Sequence, residues 1–316
     1  MASSVHYINE TIYHKRKKMA VSSGSSFLGE TKRKIEVDLF KNFKYLPWAL
    51  RGTNPPPWPI RIIAGPCQHE SFVDSLEIAE KCKEIVEDVG GNYIFKASFD
   101  KANRSHGDSK RGIGIDKTLE DFAKMKDHMG HLQILTDVHE QWQIDLIERQ
   151  WHDVIDVYQI PAFLCRQTDL IQTAIATGKS VNIKKGQFMA PWDVDGILSK
   201  VTPGDDVWIT ERGTTHGYNN LVVDFTGILY MLDNFDCDIV FDATHSVQKP
   251  GGLGRSSGGN REYVPRMCKA AAAVGVRNFF LEVHEDPDNA PSDGPNMVKL
   301  EDFQKIVDDI VNISEI

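Results

Sequence analysis

The sequence predicts an α/β fold of the (β/α)8, or TIM-barrel, class, preceded by an N-terminal extension. Three observations support this prediction: eight short β-branched runs, amphipathic helical stretches between them, and no dinucleotide-binding turn after the first run. A chain of 316 residues is long for one average domain but ordinary for one such barrel.

The strand prediction depends on short apolar runs that alternate with helical periodicity from residue 60 onward. In one predicted helix, Ile78, Cys82, Ile85 and Val89 form a single apolar stripe. Eight strand–helix units imply a parallel sheet with right-handed crossovers, and eight strands are the number that closes a barrel. The predicted strands are Arg61–Ala64, Tyr93–Lys96, Gln133–Thr136, Val154–Gln159, Val181–Lys184, Val207–Thr210, Ile239–Phe241 and Asn278–Leu281.

An open, doubly wound sheet is the structural alternative. Its dinucleotide-binding members carry a G-x-G-x-x-G turn after the first strand, whereas Gly65-Pro66-Cys67 follows the first strand here. This difference favours a closed barrel over residues 60–316.

Residues 1–59 differ in composition from the rest of the chain. Ser22–Ser26 is rich in Ser and Gly, Lys15–Lys18 is basic, and Asn54–Pro59 is rich in proline. Such composition is typical of a linker or a solvated tail. We therefore expect a poorly ordered or loosely docked extension, and assign no function to it.

Charge and cysteine content restrict the partners and the compartment. The net charge is −9, which argues against nucleic acid or an anionic membrane surface as the main partner. No apolar run approaches the roughly 20 residues of a membrane span. The five cysteines are sparse and odd in number, which predicts free thiols in a reducing, cytoplasmic compartment.

Basic side chains cluster at the predicted carboxyl ends of the strands, where barrel enzymes place their active sites. An acidic protein that gathers cations in one cleft is suited to a substrate with several negative charges. Ordinary ion pairs with Asp100, Asp137 or Glu211 are the alternative interpretation. The clustered cations are Lys96, Lys101, Arg104, Lys184 and Arg212.

Potential metal ligands leave three neighbouring strands. Cys67, His245 and Glu282 follow strands one, seven and eight, which are adjacent once the barrel closes, and Asp293 lies in the loop after strand eight. A thiolate, an imidazole and carboxylates can converge on one divalent ion such as Zn, Fe or Mn. A lone Cys is more often buried filler, and other histidines compete as ligands: His69, His139, His216 and His284.

Eight strings distribute these residues along the chain: IAGPCQHES, FKASFDKANRS, TDVHE, QIPAFLCRQTDL, NIKKGQF, TERGTTHGYNNLVVDF, DATHSVQKPGGLGRSSGG and SDGPNM. From about residue 60 onward they resemble the 3-deoxy-D-manno-octulosonate 8-phosphate synthase family in order and spacing. The resemblance implies a homotetrameric transferase of lipopolysaccharide sugar biosynthesis. It would condense phosphoenolpyruvate with D-arabinose 5-phosphate and water, giving 3-deoxy-D-manno-octulosonate 8-phosphate and phosphate.

The resemblance also implies roles for single residues. Members with Cys after the first strand form the metal-dependent class, so one divalent ion is expected on Cys67, His245, Glu282 and Asp293. Of these, Cys67, His245 and Asp293 are expected to act in catalysis together with Lys101.

Substrate contacts follow from the same motifs. Phosphoenolpyruvate is expected on Lys101, Lys184 and Arg212, in a pocket lined by Lys96 and Gln159. The arabinose 5-phosphate motif falls on Asn103, Arg104 and Ser105, and Asp137 is expected near the sugar hydroxyls.

Three positions depart from the family pattern, namely His106, His216 and Lys249. His106 touches the sugar-phosphate motif and leaves substrate detail open. The alternatives are a 3-deoxy-heptulosonate 7-phosphate or sialic acid type of synthase, or a non-catalytic barrel that binds a sugar phosphate.

Overall fold

A computed structural model describes residues 59–102, 106–107, 111–254 and 257–315. The predicted N-terminal extension lies outside the described residues, apart from Pro59 at its end. The barrel strands are β1 (Arg61–Gly65), β2 (Asn92–Lys96), β3 (Gln133–Asp137), β4 (Val157–Ile160), β5 (Ser180–Lys184), β6 (Val207–Glu211), β7 (Asp238–Asp242) and β8 (Asn278–His284).

The eight strands are parallel and form a closed ring. Each pairs with the next along the chain, and β1 pairs with both β2 and β8, with Gly65 opposite Glu282. The predicted (β/α)8 barrel is therefore confirmed. No helix among the described residues combines the length and the apolar character needed to cross a membrane.

One α-helix follows each strand. Ser71 caps the first helix by accepting a hydrogen bond from the Asp74 N–H, and Ile78, Cys82 and Ile85 are buried on its inner face as their spacing predicts. The helices are α1 (Phe72–Asp88), α2 (Ile115–Met129), α3 (Gln141–Gln150), α4 (Thr168–Ala176), α5 (Asp195–Leu198), α6 (Phe225–Asn234), α7 (Val264–Ala273) and α8 (Leu300–Ser314).

The core has two layers because successive strand residues face opposite sides of the sheet. Ile62 and Ala64 pack outward against the helices, whereas Ile63 belongs to a small apolar cluster inside the barrel. That inner cluster fills part of the barrel interior, and buried polar side chains of the strands, among them Gln159, Asn182 and Thr210, fill another part. The members of the inner cluster are Ile63, Ile94, Leu135, Val157, Trp208, Val240 and Phe280.

Two predicted strand limits are wrong in an informative way. β4 begins at Val157 and not at Val154, because the Val154 N–H closes a turn onto the Trp151 carbonyl. β8 continues past Leu281 to His284 because its end pairs with the short strand Val298–Lys299. Glu282 therefore lies inside a strand, which fixes the position of its backbone.

Candidate active site

The donor atoms of Cys67, Glu282 and Asp293 lie within 4.8 Å of one another. The Cys67 thiol donates to Asp293 Oδ2 at 3.2 Å. Glu282 is 1% exposed, and its Oε2 is buried without a hydrogen-bond partner. A buried carboxylate oxygen without a partner is costly unless a cation satisfies it, so these three residues fit a metal ion.

His245 lies beside this group but not within it. Its Nε2 is 3.8 Å from Glu282 Oε1, and its Nδ1 is 2.8 Å from Asp242 Oδ2. A carboxylate on one ring nitrogen fixes the imidazole and leaves the other nitrogen directed toward Glu282, as in many metal-binding histidines.

The competing histidines point elsewhere. His69 is buried between Ser75 and Asp121, and His284 contacts Glu70. His139 and His216 are not part of the ligand group either.

The pKa values of Cys67 and Asp293 indicate which proton a metal ion would displace on binding. Burial, and then the charge of Glu282, raise the pKa of the Cys67 thiol far above its usual range. Burial also raises the pKa of Asp293, but His245 and Lys101 outweigh it and lower that pKa to about 2. Without a cation the site is therefore a neutral thiol beside an ionised carboxylate. Metal binding must displace the thiol proton.

Three lysines reach into the same barrel mouth, each with an acidic neighbour. Lys96 Nζ is 3.2 Å from Glu282 Oε1 and also donates to the Cys67 carbonyl at 3.0 Å. Lys184 Nζ is 2.5 Å from Asp242 Oδ2. Of the predicted cation cluster, Lys96, Lys101 and Lys184 are buried or nearly buried here, whereas Arg104 lies outside the described residues. Of the ion pairs weighed as the alternative, only Lys101 with Asp137 forms in the part of the chain that the structure describes, while Lys96 and Lys184 pair with Glu282 and Asp242.

Lys101 lies between the group of candidate metal ligands and Asp137. Its Nζ donates to Ser98 Oγ at 2.9 Å and lies 3.8 Å from Asp137 Oδ2. Burial alone would lower the pKa of Lys101, but the neighbouring Cys67, Asp137 and Glu282 outweigh it and raise it. The ammonium is thus retained at neutral pH.

Arg212 is buried, and none of the described carboxylates lies at ion-pair distance from it. Its Nη2 donates to Gln248 Oε1 at 3.1 Å, whereas its Nη1 is buried without a partner. A buried guanidinium nitrogen without an acceptor indicates that an anionic ligand completes it.

Asp137 anchors a layer of polar side chains inside the barrel. Ser98 and Gln159 both donate to its carboxylate, and Asn182 donates to Gln159 at 2.9 Å. Burial raises the pKa of Asp137, but Lys96 and Lys101 outweigh it and hold the pKa well below its usual range. The carboxylate stays ionised and able to accept a hydrogen bond from a ligand.

Several sequence-predicted positions are not part of this geometry. Asn103, Arg104 and Ser105 lie outside the described residues, so their predicted role in sugar-phosphate binding remains a prediction. The three departures from the family pattern, His106, His216 and Lys249, are all exposed.

The structure adds residues that sequence reasoning did not assign. Asp242 is fully buried and joins Lys184 to His245. Its place at the end of a strand, three residues before a candidate ligand, was a usable signal. Gln248 joins Arg212 to Asp293, and no sequence pattern points to that contact.

Comparison with known proteins identifies the family. A family profile described as the DAHP synthetase I family matches residues 55–315. The chain belongs to the DAHP synthetase I family.

Curated proteins that are similar to this DAHP synthetase I chain carry a more specific name than the family profile. It is 52% identical over 251 residues to 2-dehydro-3-deoxyphosphooctonate aldolase of Rhodopseudomonas palustris strain TIE-1, covering 79% of this chain and 86% of the relative. The Nitrobacter winogradskyi protein of the same name is 51% identical over 251 residues, which are 79% of this chain and 86% of the relative. That of Bartonella bacilliformis is 48% identical over 260 residues, which are 82% of this chain and 90% of the relative.

Proposed function

We propose that this chain is a transferase that condenses phosphoenolpyruvate with D-arabinose 5-phosphate and water. The products are phosphate and 3-deoxy-D-manno-octulosonate 8-phosphate, the compound that the relatives' names call 2-dehydro-3-deoxyphosphooctonate. One observation carries the proposal: a buried thiol–carboxylate group and a cluster of cationic side chains share one barrel mouth. Two phosphorylated substrates match the cations, and the barrel end is the usual place for such chemistry.

Phosphoenolpyruvate is assigned to the cations around Arg212. Lys101, Lys184 and Arg212 hold its phosphate and carboxylate, and Lys96 and Gln159 line the pocket. The unpartnered Nη1 of Arg212 supports this assignment because it offers a buried donor to an anion.

The sugar phosphate is assigned to the side of Lys101 that faces Asp137. The ionised Asp137 carboxylate accepts a hydrogen bond from a sugar hydroxyl. The matched motif Asn103, Arg104 and Ser105 would bind the phosphate, with Arg104 as its main cationic contact.

We also propose that the enzyme belongs to the metal-dependent class. Cys67, Glu282 and Asp293, with His245 Nε2, would hold one divalent ion, and the unpartnered Glu282 Oε2 supports this set. When bound, such an ion supplies Lewis-acid polarisation of an oxygen at the reacting centre. The mixed sulfur, nitrogen and oxygen donors suit Zn, Fe or Mn.

The remaining residues align the two substrates for carbon–carbon bond formation. Carbon three of phosphoenolpyruvate bonds to the aldehyde carbon, water adds at carbon two, and phosphate leaves by cleavage of its bond to carbon two. Holding both substrates in one mouth supplies the proximity term. The lysine and arginine side chains stabilise the negative charge that develops on the departing phosphate.

Phosphate release with three aldehydes tests the substrate assignment. The family description names a DAHP synthetase, so erythrose 4-phosphate is the specific alternative substrate, and N-acetylmannosamine represents the sialic acid type. We expect phosphate from phosphoenolpyruvate with arabinose 5-phosphate only. Release with erythrose 4-phosphate alone would move the assignment to the heptulosonate reaction, and no release with any aldehyde would indicate a non-catalytic barrel.

Chelation and a cysteine substitution test the metal assignment. Chelator should abolish activity and a divalent metal should restore it. Cys67→Ala should lose bound metal, whereas Cys67→Asn should keep some metal-free turnover. Cys82→Ala, a buried cysteine of the outer core, is the matched control and should keep its metal. Full activity in metal-free wild-type enzyme would contradict the assignment.

Assembly and location are the last parts of the proposal. We propose a cytoplasmic homotetramer, on the family resemblance, the five free cysteines and the large exposed aromatic side chains Phe163, Phe188 and Trp192. Light scattering on the purified protein measures the subunit number, and a monomer at assay concentration would refute the tetramer.

A further inference from the structure

Gln248 lies between the two halves of the candidate site. It begins the two-residue strand Gln248–Lys249, which pairs with Gly258–Gly259, and it follows His245 by one short turn. Its side chain is almost fully buried, and nothing in the sequence or the proposed reaction assigns it a role.

The Gln248 carboxamide makes one hydrogen bond to each half of the site. Its Oε1 accepts from Arg212 Nη2 at 3.1 Å, and its Nε2 donates to Asp293 Oδ1 at 2.8 Å. A guanidinium only donates and a carboxylate only accepts, so the two partners fix the direction of the amide without ambiguity.

Each partner keeps a second polar atom to which the glutamine makes no hydrogen bond. Arg212 uses Nη2 for the glutamine and leaves the buried Nη1 without a partner. Asp293 uses Oδ1 for the glutamine and leaves Oδ2 beside the Cys67 thiol. The amide therefore uses one polar atom of each group and leaves Arg212 Nη1 unpartnered and Asp293 Oδ2 with Cys67 and Ser292.

Without the Gln248 amide between them, the Arg212 guanidinium and the Asp293 carboxylate would attract each other directly. A buried arginine and a buried aspartate form a strong bidentate pair when nothing separates them. Such a pair would consume the guanidinium nitrogen meant for an anion and the carboxylate oxygen meant for a cation. A neutral amide satisfies both groups and keeps them apart.

We propose that Gln248 is a positioning residue that separates and aligns Arg212 and Asp293, so that one side chain sustains both phosphoenolpyruvate binding and metal binding. The inference rests on the proposed function, because it takes Arg212 and Asp293 as the phosphoenolpyruvate and metal contacts. Gln248 itself touches neither ligand.

The dissociation constants of Mn²⁺ and of phosphoenolpyruvate, both measured on Gln248→Met, test this role. Gln248→Met has a similar length, no donor for Asp293 and only a weak acceptor for Arg212. We expect Mn²⁺ affinity, measured by equilibrium dialysis of the chelator-treated protein, to fall about 10- to 100-fold. We expect phosphoenolpyruvate affinity, measured by titration calorimetry, to fall about tenfold, as for the loss of a hydrogen bond to a charged group.

A matched control separates positioning from general loss of stability. Gln143 is also buried, and its Oε1 accepts two backbone N–H groups, from His139 at 2.7 Å and Glu140 at 3.2 Å. Gln143→Met should lower the unfolding temperature while leaving both dissociation constants near wild type. If Gln248→Met does not fold, Gln248→Asn keeps the amide on a shorter chain and should weaken both ligands to a smaller extent.

The possible outcomes are distinct. Weakening of both ligands in the Gln248 variants, but not in the Gln143 control, supports the proposal. Unchanged constants overturn it, and so does weakening of one ligand alone, because a bridge must affect both. Wild-type phosphate release from phosphoenolpyruvate and arabinose 5-phosphate is measured in parallel; its absence would remove the proposed function, whatever the Gln248 variants do.

Discussion

Asp242 should be the single most sensitive carboxylate of the site outside the ligand group, and Asp242→Asn tests this. Its Oδ2 lies 2.5 Å from Lys184 Nζ and 2.8 Å from His245 Nδ1, and its Oδ1 accepts the His245 backbone N–H at 2.9 Å. Asparagine keeps the shape and one acceptor oxygen. It replaces Oδ2 by an NH₂ donor, which then faces Lys184 Nζ and His245 Nδ1, both donors themselves.

The structure sets the size of the effect. Asp242 is 0% exposed and Lys184 is 5% exposed, so neither group can turn to water. Removing one partner of a buried ion pair costs about 3–5 kcal/mol because the other charge stays buried and uncompensated. A protein of this size loses on the order of 2 °C of unfolding temperature per kcal/mol, so the midpoint should fall by about 6–10 °C.

The same substitution should change the pH dependence of catalysis. Burial lowers the pKa of Lys184 to about 8, and the charge of Asp242 limits that fall. Lys184 binds an anion only in its protonated form, so wild-type kcat/KM for phosphoenolpyruvate should decline as pH rises through about 8. Without the charge at position 242 the pKa of Lys184 falls further, and the decline should begin at lower pH.

Thermal unfolding and phosphate release over a neutral to alkaline pH series measure both effects. Asp238→Asn is the matched control: it lies at the other end of the same strand and pairs with Arg61 at 2.8 Å with 43% of its side chain exposed. That exposed pair is worth only about 0–1 kcal/mol. The reasoning is refuted if the two variants unfold at the same temperature, or if Asp242→Asn keeps the wild-type pH profile.

Two further substitutions test the close packing at Gly65 and the buried ion pair of Glu211. Gly65→Ala should destabilise the protein and reduce metal binding, because its Cβ would lie 2.2 Å from the Lys96 carbonyl oxygen at the strand end; thermal unfolding and metal content measure this, and a wild-type midpoint would contradict it. Glu211→Gln should lower stability by about 3 kcal/mol, as its Oε2 lies 3.2 Å from the buried Lys185 Nζ. Its Oε1 still accepts the Gly213 N–H at 2.6 Å, so chemical denaturation should show the loss while phosphoenolpyruvate KM changes little; a large KM increase would show that the pair also positions substrate.

The prediction of the fold from sequence succeeded where the signal is local. Strands buried on both faces appear as short apolar runs, and the helices between them carry a 3.6-residue period. Strand limits were predicted less well, because hydrogen bonds to distant segments decide them. The extension of β8 to His284 depends on Val298–Lys299, which no local pattern around Leu281 reveals.

Site residues were predictable to the extent that barrel topology places strand ends together. Cys67, Glu282 and Asp293 were expected to converge, and they do, with donor atoms within 4.8 Å of one another. His245 was expected as a fourth ligand, but it is not part of that group, and its Nε2 lies 3.8 Å from Glu282 Oε1. Its bound position in a metal complex remains a prediction.

The sequence by itself determined the barrel and the kinds of side chain that lie at the carboxyl ends of its strands, because periodicity and residue chemistry are properties of short segments. Only the tertiary structure decided which atoms meet. The contact of Asp242 with Lys184, and those of Gln248 with Arg212 and Asp293, join residues 58, 36 and 45 positions apart in the chain. Buried charges must find partners within about one hydrogen-bond length, and only the folded chain brings those partners into reach.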